Sequence, residues 1–496
     1  MQKNKPICGS FKNKGKGYLS PPRQAKKRSQ KHKLFLIRQT EIKKKDKTMK
    51  IKLTNHQQNA FNELVTFSSN KKRTHVLSGC AGTGKSTLII EYINYLDENG
   101  IDYHLTATTH KAANVFSQMK EGTETSTIHS LLNLKPEPDL KTGIMKLKQT
   151  KRPAISTYSI IMCDEASMCD EQMINYIAET GAKVLYIGDS YQLPPVFASE
   201  SPAFALNCPQ SRLTEIMRQA LDNPLLSTAT AFREVINGAK FPQIETATLS
   251  GGNGLYLLDR KSFDRELLAH FESDSFKNDN DYCRVMGWTN NCSRDYNELI
   301  RRETLGITSP KPTAGEIYIT NSAIPNPRDQ NELLLTNDTK VKISQISDCH
   351  DFDVFGYDVE LEDIETGEFV DVFVPEDWDK AKGLMGEAAK EANRITKEVK
   401  AGNVKLESKR KAAWRKFFKI KNTFADIRPA YAVTVHKSQG STFDTVFIDL
   451  DDICKNKKGH EVARLLYVAM TRPKNKVYIT GSYSNWINNF NLKEAA

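Results

Sequence analysis

Cysteine is sparse and scattered along these 496 residues, nine in all, with no C-x-x-C pair and no regular spacing. That excludes a disulfide framework or a zinc ribbon and fits a reducing compartment. Long apolar runs are missing too, since none approaches the roughly 18 residues that a membrane span needs. The first residues lack the apolar core of a secretory signal. Acidic residues are scarce only at one end. Residues 1–48 hold sixteen Lys/Arg against Glu41 and Asp46, a net of +14, so the other 55 basic and 58 acidic residues leave the body at −3. The formal charge of +11 therefore describes a tail. Such a segment, rich in Lys and poor in aromatics, is expected to be disordered and able to hold nucleic acid electrostatically. Lys26-Lys27-Arg28 also has the look of an import signal, and translation from Met49 is the bland alternative.

What is present is organised around Gly79-Cys80-Ala81-Gly82-Thr83-Gly84-Lys85-Ser86. It follows the apolar pair Val76-Leu77 and opens into Thr87-Leu88-Ile89-Ile90-Glu91-Tyr92-Ile93, with apolar residues at helical spacing. Strand, Gly-rich loop and helix in the order G-x-x-x-x-G-K-S describe a phosphate cradle. Glycines let main-chain N–H groups turn onto phosphate oxygens, and the helix N-terminus adds its positive dipole end. Lys85 is placed for the β- and γ-phosphates and Ser86 for Mg²⁺. A chance Gly-rich loop seldom fills every fixed position in this context, so the chain is expected to bind a nucleoside triphosphate.

Two further acidic signals end apolar runs. Tyr158–Cys163 leads into Asp164-Glu165-Ala166-Ser167, and Val184–Ile187 leads into Gly188-Asp189-Ser190-Tyr191-Gln192. Acids at the C-terminal ends of strands sit where an α/β sheet presents its ligands, with Asp164 for Mg²⁺ and Glu165 for the attacking water. Four strands alternating with helices predict a parallel, doubly wound sheet. Between Asn133 and Ala154 the sequence reads as a hairpin, its turn in Leu140–Ile144 and Lys146 and Lys148 alternating with Met145 and Leu147. The pattern restarts beyond Pro209, and strand-like runs at 284–288, 445–448 and 476–479 predict a second α/β unit. A β-rich stretch over 333–374 and a charged helical stretch over 379–418 interrupt it.

The ordered set Gly79–Ser86, Asp164–Ser167, Gly188–Gln192, Leu213–Arg218, Val435–Ser441 and Leu466–Arg472 resembles the motif series of superfamily 1 helicases. Thr434-Val435-His436-Lys437-Ser438-Gln439-Gly440 and Leu466–Arg472 resemble the 5′-to-3′ branch, superfamily 1B, with its RecD-like, Pif1-like and phage Dda-like members. The resemblance covers about residues 50–482. It implies tandem RecA-like P-loop domains of α/β class with a β-hairpin insertion and an SH3-like, β-rich plus helical insertion. The implied division is a tail over 1–48, a first domain over 49–205 with hairpin 133–154, a second over 206–305 and 427–496, and an inserted subdomain over 306–426.

Carried over by position, the nucleotide set is Gln57 on the adenine, Gly79, Ala81, Gly82, Thr83, Gly84, Lys85, Ser86 and Thr87. The resemblance makes Lys85, Asp164, Glu165, Gln192, Arg218 and Arg472 catalytic, Gln192 sensing the γ-phosphate and the two arginines acting as fingers from the second unit. Mg²⁺ falls to Ser86 and Asp164. The DNA set is Thr106, Thr108, His110, Thr127 and His129 on one unit and Thr434, His436, Lys437 and Ser438 on the other. Phe116, Trp288, Trp414 and Tyr431 are candidate stacking platforms, although each residue type is more often core. The expected function is an ATP-dependent DNA helicase moving 5′ to 3′, with ATP and Mg²⁺ as cofactors, in replication, recombination or repair. A translocase that strips bound proteins without separating strands is the rival, and a P-loop kinase does not need a second unit with two arginine motifs. The expected partners are single-stranded and forked DNA, with single-strand-binding or replication proteins as further candidates. The chain is expected to act as a monomer, off the membrane and in the cytoplasm, that of a bacterial host if phage-encoded.

Overall fold

In the computed structural model the described residues are 52–109, 112–113, 123–157, 159–195, 198, 200–215, 223–326, 333–482 and 486–487. The basic tail, Phe116, His110 and Arg218 lie outside them.

Thr54 starts the first helix, Asn55–Ser69, with a capping box. Its hydroxyl accepts the Gln57 N–H at 3.2 Å, and the Gln57 side chain accepts the Thr54 N–H at 3.0 Å. The first sheet then places Thr125–Thr127, Tyr103–Ala107, Ile160–Asp164, Lys183–Gly188, Thr74–Gly79 and Gln210–Leu213 side by side, every pair parallel. Six strands stand where four were legible. Alternation along them feeds two cores. Ile160 and Met162 pack with Leu64, Phe67 and Leu88 on one face, and Ile161 and Cys163 with Tyr186 and Ile177 on the other. Helices therefore cover both faces, as a parallel sheet requires.

The second sheet orders Ala432–Thr434, Cys283–Gly287, Phe443–Asp449, Pro473–Thr480 and Gly254–Leu258 in parallel, with Ala247–Thr248 antiparallel at its edge. Each sheet is mostly parallel and doubly wound, so the fold is the tandem RecA-like pair expected. The third sheet is antiparallel, in the order Phe369–Pro375, Val354–Asp363, Lys340–Asp351, Ile317–Thr320 and Ile427–Pro429. Two helices, Trp378–Lys400 and Glu407–Thr423, complete the insertion.

Strand pairing moves two of the expected boundaries. Gln210–Leu213 pairs with Thr74–Gly79, so the first unit runs past residue 205. Ile427–Pro429 pairs with Ile317–Thr320, so the insertion runs past residue 426. At the other root, Gly306 ends the helix Asn290–Leu305 in the left-handed region (φ 66°). There Arg301, buried, forms a 3.0 Å pair with Glu316 and donates to the Ser309 and Lys311 carbonyls at 2.9 and 2.7 Å. A buried fork satisfied on every side fixes where the insertion leaves the second unit.

The hairpin is present over Leu134–Pro138 and Met145–Gln149, with Pro138 opposite Met145. Asp139 closes the turn, its carbonyl accepting the Gly143 N–H at 2.7 Å. Leu140 and Met145 pack onto Trp414, Phe418 and Ala392 of the inserted helices. Trp414 is thus 3% exposed, and its indole N–H donates to Thr396 at 3.0 Å. Tyr431 is buried too, its hydroxyl donating to Glu316 at 3.0 Å. Neither ring is a stacking platform, because both are enclosed by core and hydrogen-bonded there. Trp288 packs half-buried against the second unit's core.

Candidate active site

The loop after Thr74–Gly79 takes its shape from glycine. Gly82 and Gly84 both sit at φ 78°, where a side chain is strained, and a Cβ on Gly84 would meet the Gln57 amide. Thr83 donates back to the Cys80 carbonyl at 2.9 Å. Gly84 then caps the helix Lys85–Glu98 without a side-chain bond, which leaves the N–H groups of Lys85, Ser86 and Thr87 at a positive helix end. Lys85 Nζ rests on the Gly79 and Cys80 carbonyls at 2.5 and 3.1 Å, inside the cradle. Gln57 is also at the loop, but its amide is engaged by the Thr54 N–H and the Thr83 carbonyl (3.1 Å), so it braces the cradle.

Asp164 ends the strand Ile160–Asp164, and Glu165 follows at φ 50°, a conformation that costs about 1–3 kcal/mol for a non-glycine residue. Burial and the charge of Glu165 push Asp164 up to about 7, against the pull of Lys85. Burial raises Glu165 as well, and Arg472 and then Lys85 act against it. Glu165 Oε2 and Gln192 Oε1 are buried oxygens with no hydrogen-bond partner among the described residues. Orphaned acceptors this close to a phosphate cradle fit a site that receives a water and a cation. Ser86 and Asp164 together offer the hydroxyl and carboxylate oxygens that Mg²⁺ prefers.

The second unit closes the cleft. Arg472 follows the helix Gly459–Met470, is buried, and donates to the Val468 and Ser441 carbonyls, each at 3.2 Å. From the same helix Arg464 donates to the Ser190 and Gln192 carbonyls, each at 2.9 Å. Tyr467 donates to Asp189 and accepts the Ala81 N–H at 3.4 Å. Gln439 donates to the Leu193 carbonyl at 3.2 Å, and Arg233 to the Cys80 sulfur at 2.9 Å. Sequence reasoning assigned no role to these last four: Arg464 and Arg233 sit in ordinary helical pattern, and Gln439 and Tyr467 lie inside the Thr434–Gly440 and Leu466–Arg472 motifs, where only neighbouring residues carry an expected role. Arg218 cannot be placed in this arrangement, lying outside the described residues.

The expected strand contacts divide. A cavity of about 250 Å³ lies where the two RecA-like units and the insertion meet, lined by Thr109, His436, Lys437 and Lys340 among others. Lys437 pairs with Asp338 at 3.0 Å, and burial lowers the His436 imidazole. Thr106 and Ser438 are corrected. Both are 1% exposed, and their hydroxyls donate to the Met162 and Val435 carbonyls at 2.9 and 2.8 Å. Thr127 caps the helix Ile128–Leu131, Thr108 meets the Met168 sulfur at 3.6 Å, and Thr434 ends a buried strand. His129 stands on the short helix beside them, half-buried.

Two family models match, an AAA domain over residues 52–244 and a UvrD-like helicase C-terminal domain over residues 429–480. The "ATP-dependent DNA helicase dda" of Enterobacteria phage T4 is 27% identical over 465 residues, covering 86% of this chain and 98% of that protein. The "ATP-dependent RecD2 DNA helicase" of Deinococcus radiodurans is 35% identical over 161 residues, 32% of this chain and 21% of that protein. Among solved structures, the Pif1 helicase from Bacteroides in complex with ADP-AlF3 and ssDNA aligns with 90% of this chain and 98% of its own, at 15% identity and a TM-score of 0.42. By motif order, tandem sheets and a likeness along most of its length, the chain is similar to ATP-dependent DNA helicases such as that of phage T4.

Proposed function

We propose that this chain is an ATP-dependent DNA helicase that moves 5′ to 3′ on single-stranded DNA and separates the duplex ahead of it. One observation carries the reading. Lys85 and Glu165 of the first unit and Arg472 of the second share a single buried cleft in which the Arg472 and Lys85 charges act on the Glu165 carboxylate. A site divided between two units turns over only when they close, and opening and closing on a strand is translocation.

In this mechanism the loop N–H groups and Lys85 hold the phosphates, and Arg472 and Arg218 bridge the charge that spreads as the terminal phosphoryl leaves. Glu165 accepts the proton of the attacking water, its buried carboxylate facing the Arg472 and Lys85 charges. Mg²⁺ on Ser86 and Asp164 would neutralise phosphate charge. Hydrolysis releases the second unit from the cleft. His436 and Lys437 then alternate with Thr108 and His129 in holding the strand through phosphates rather than bases, which suits a sequence-tolerant motor.

The rival, a translocase that does not unwind, is disfavoured by the braced hairpin. A loop kept only for solubility has no need of a tip packed under Trp414. The substrates are single-stranded and forked DNA, the setting is replication, recombination or repair, and the working unit is a monomer. Single-strand-binding or replication proteins are the protein partners that suit such an activity. ATP hydrolysis measured with and without single-stranded DNA tests the reading. Strong stimulation supports it, and a rate indifferent to DNA contradicts it.

A further inference from the structure

The helix Gly459–Met470 carries two residues one turn apart, Arg464 and Tyr467, that reach from the second unit into the first. Arg464, Gln439 and Arg233 also cross the cleft, to carbonyls of the 190–193 loop or to the Cys80 thiol. Of these four crossings, only that of Tyr467 takes a main-chain N–H of the phosphate loop, that of Ala81. Its proton goes to Asp189, whose other oxygen accepts the Tyr191 N–H at 3.0 Å. A phenol has one proton and two lone pairs, so it can donate to Asp189 while accepting from Ala81. One hydroxyl thus joins three things: the phosphate loop, the loop carrying Gln192, and the helix that ends just before Arg472. The ring is 2% exposed and edge-on to Tyr191, at 6.4 Å and 70°. Burial and the Asp189 charge keep the phenol neutral, hence always a donor.

We propose that Tyr467 is a positioning residue for hydrolysis, its hydroxyl locking the Arg472 helix onto the phosphate loop so that Arg472 and Gln192 meet the terminal phosphate together. The proposal rests on the cleft being an ATPase site. Arg472 is tied by its own hydrogen bonds only to its own unit, to the Val468 and Ser441 carbonyls and the Thr471 hydroxyl, so its placement over the cradle depends on how its helix docks. Loss of the hydroxyl leaves the ring packing intact and removes both bonds across the cleft.

Tyr467→Phe in the full chain tests this by steady-state ATP hydrolysis with and without oligo(dT). The expected result is a kcat lower by about tenfold or more with the ATP KM within about twofold, because the phosphate contacts themselves are untouched. The melting temperature should stay within a few degrees of the parent. Asp189→Ala and the double variant complete a cycle. If both residues act through one bridge, the double variant is no slower than the slower single variant. A kcat within about twofold of the parent, a loss seen in KM instead, multiplying effects in the double variant, or a collapsed melt each overturn the proposal. A parent that hydrolyses ATP but ignores oligo(dT) contradicts the helicase reading, while the bridge is still tested on the unstimulated rate.

Discussion

Trp414 lies directly against Gly143, so close that a Cβ built on that glycine would stand 2.0 Å from the indole ring. The glycine is at the hairpin turn of the first unit, at φ 74°, and the tryptophan is on the second inserted helix. The contact braces the hairpin tip against an insertion whose root is fixed to the second unit by Arg301 and Glu316. Ile144, beside the glycine, stays 60% exposed and free to meet a junction.

Gly143→Val should therefore separate the two activities. The new side chain is strained in that backbone and collides with Trp414, so the tip must leave its seat. No phosphate-binding residue lies in the hairpin. Hydrolysis stimulated by single strands should stay within about twofold of the parent, while unwinding of a forked duplex falls about tenfold or more. Equal loss of both, or of neither, would show that the hairpin tip takes no part in parting the strands. Trp414→Ala should give the same split and also destabilise the chain by about 3–5 kcal/mol, measured by denaturant unfolding.

Lys85→Ala should abolish turnover, by several orders of magnitude, without unfolding the protein. The two hydrogen bonds of the ammonium go to loop carbonyls that water can serve. Circular dichroism and an ATPase assay on the same preparation check both halves.

Glu165→Gln should bind ATP and DNA yet hydrolyse about 10²–10⁴-fold more slowly, because an amide cannot take the water's proton. Arg472→Lys is the sharper test of the finger. It keeps the charge but loses the planar fork that serves the Val468 and Ser441 carbonyls and a phosphate together. DNA affinity should persist while DNA-stimulated kcat falls, as filter binding and steady-state kinetics would report.

Stability should fall with acid. His75 is buried and His270 half-buried, and desolvation holds both imidazoles below their ordinary 6.5. The folded chain then binds fewer protons than the unfolded one below that value, so their contribution is complete above about pH 6.5 and is lost as pH drops. Melting temperature should be a few degrees lower at pH 5.5 than at pH 7.5. His270→Phe, which keeps a ring among Tyr282, Phe447 and Tyr478, should shrink the difference.

Much of this was legible in the chain because it is local chemistry. Glycines and Lys85 at fixed spacing, acids behind apolar runs, and alternation either side of a turn each determine structure within a dozen residues. What was not legible depends on distant partners. Nothing around Trp414 or Tyr431 says that a hairpin or Glu316 will cover them. Thr106 and Ser438 have the residue types of strand contacts, but neighbouring carbonyls claim their hydroxyls. Gln210–Leu213 and Ile427–Pro429 are too short and polar to read as strands, so both boundaries fell early. Tyr467 lies inside the Leu466–Arg472 motif, but nothing in its apolar helix says that its hydroxyl will cross to Asp189 and Ala81.

Polarity on tailed duplexes tests the central claim most directly. The chain with ATP and Mg²⁺ should unwind a duplex bearing a 5′ single-stranded tail, and leave one with only a 3′ tail intact. Unwinding from the 3′ tail, or hydrolysis stimulated by both tails with no strand released from either, would contradict the account.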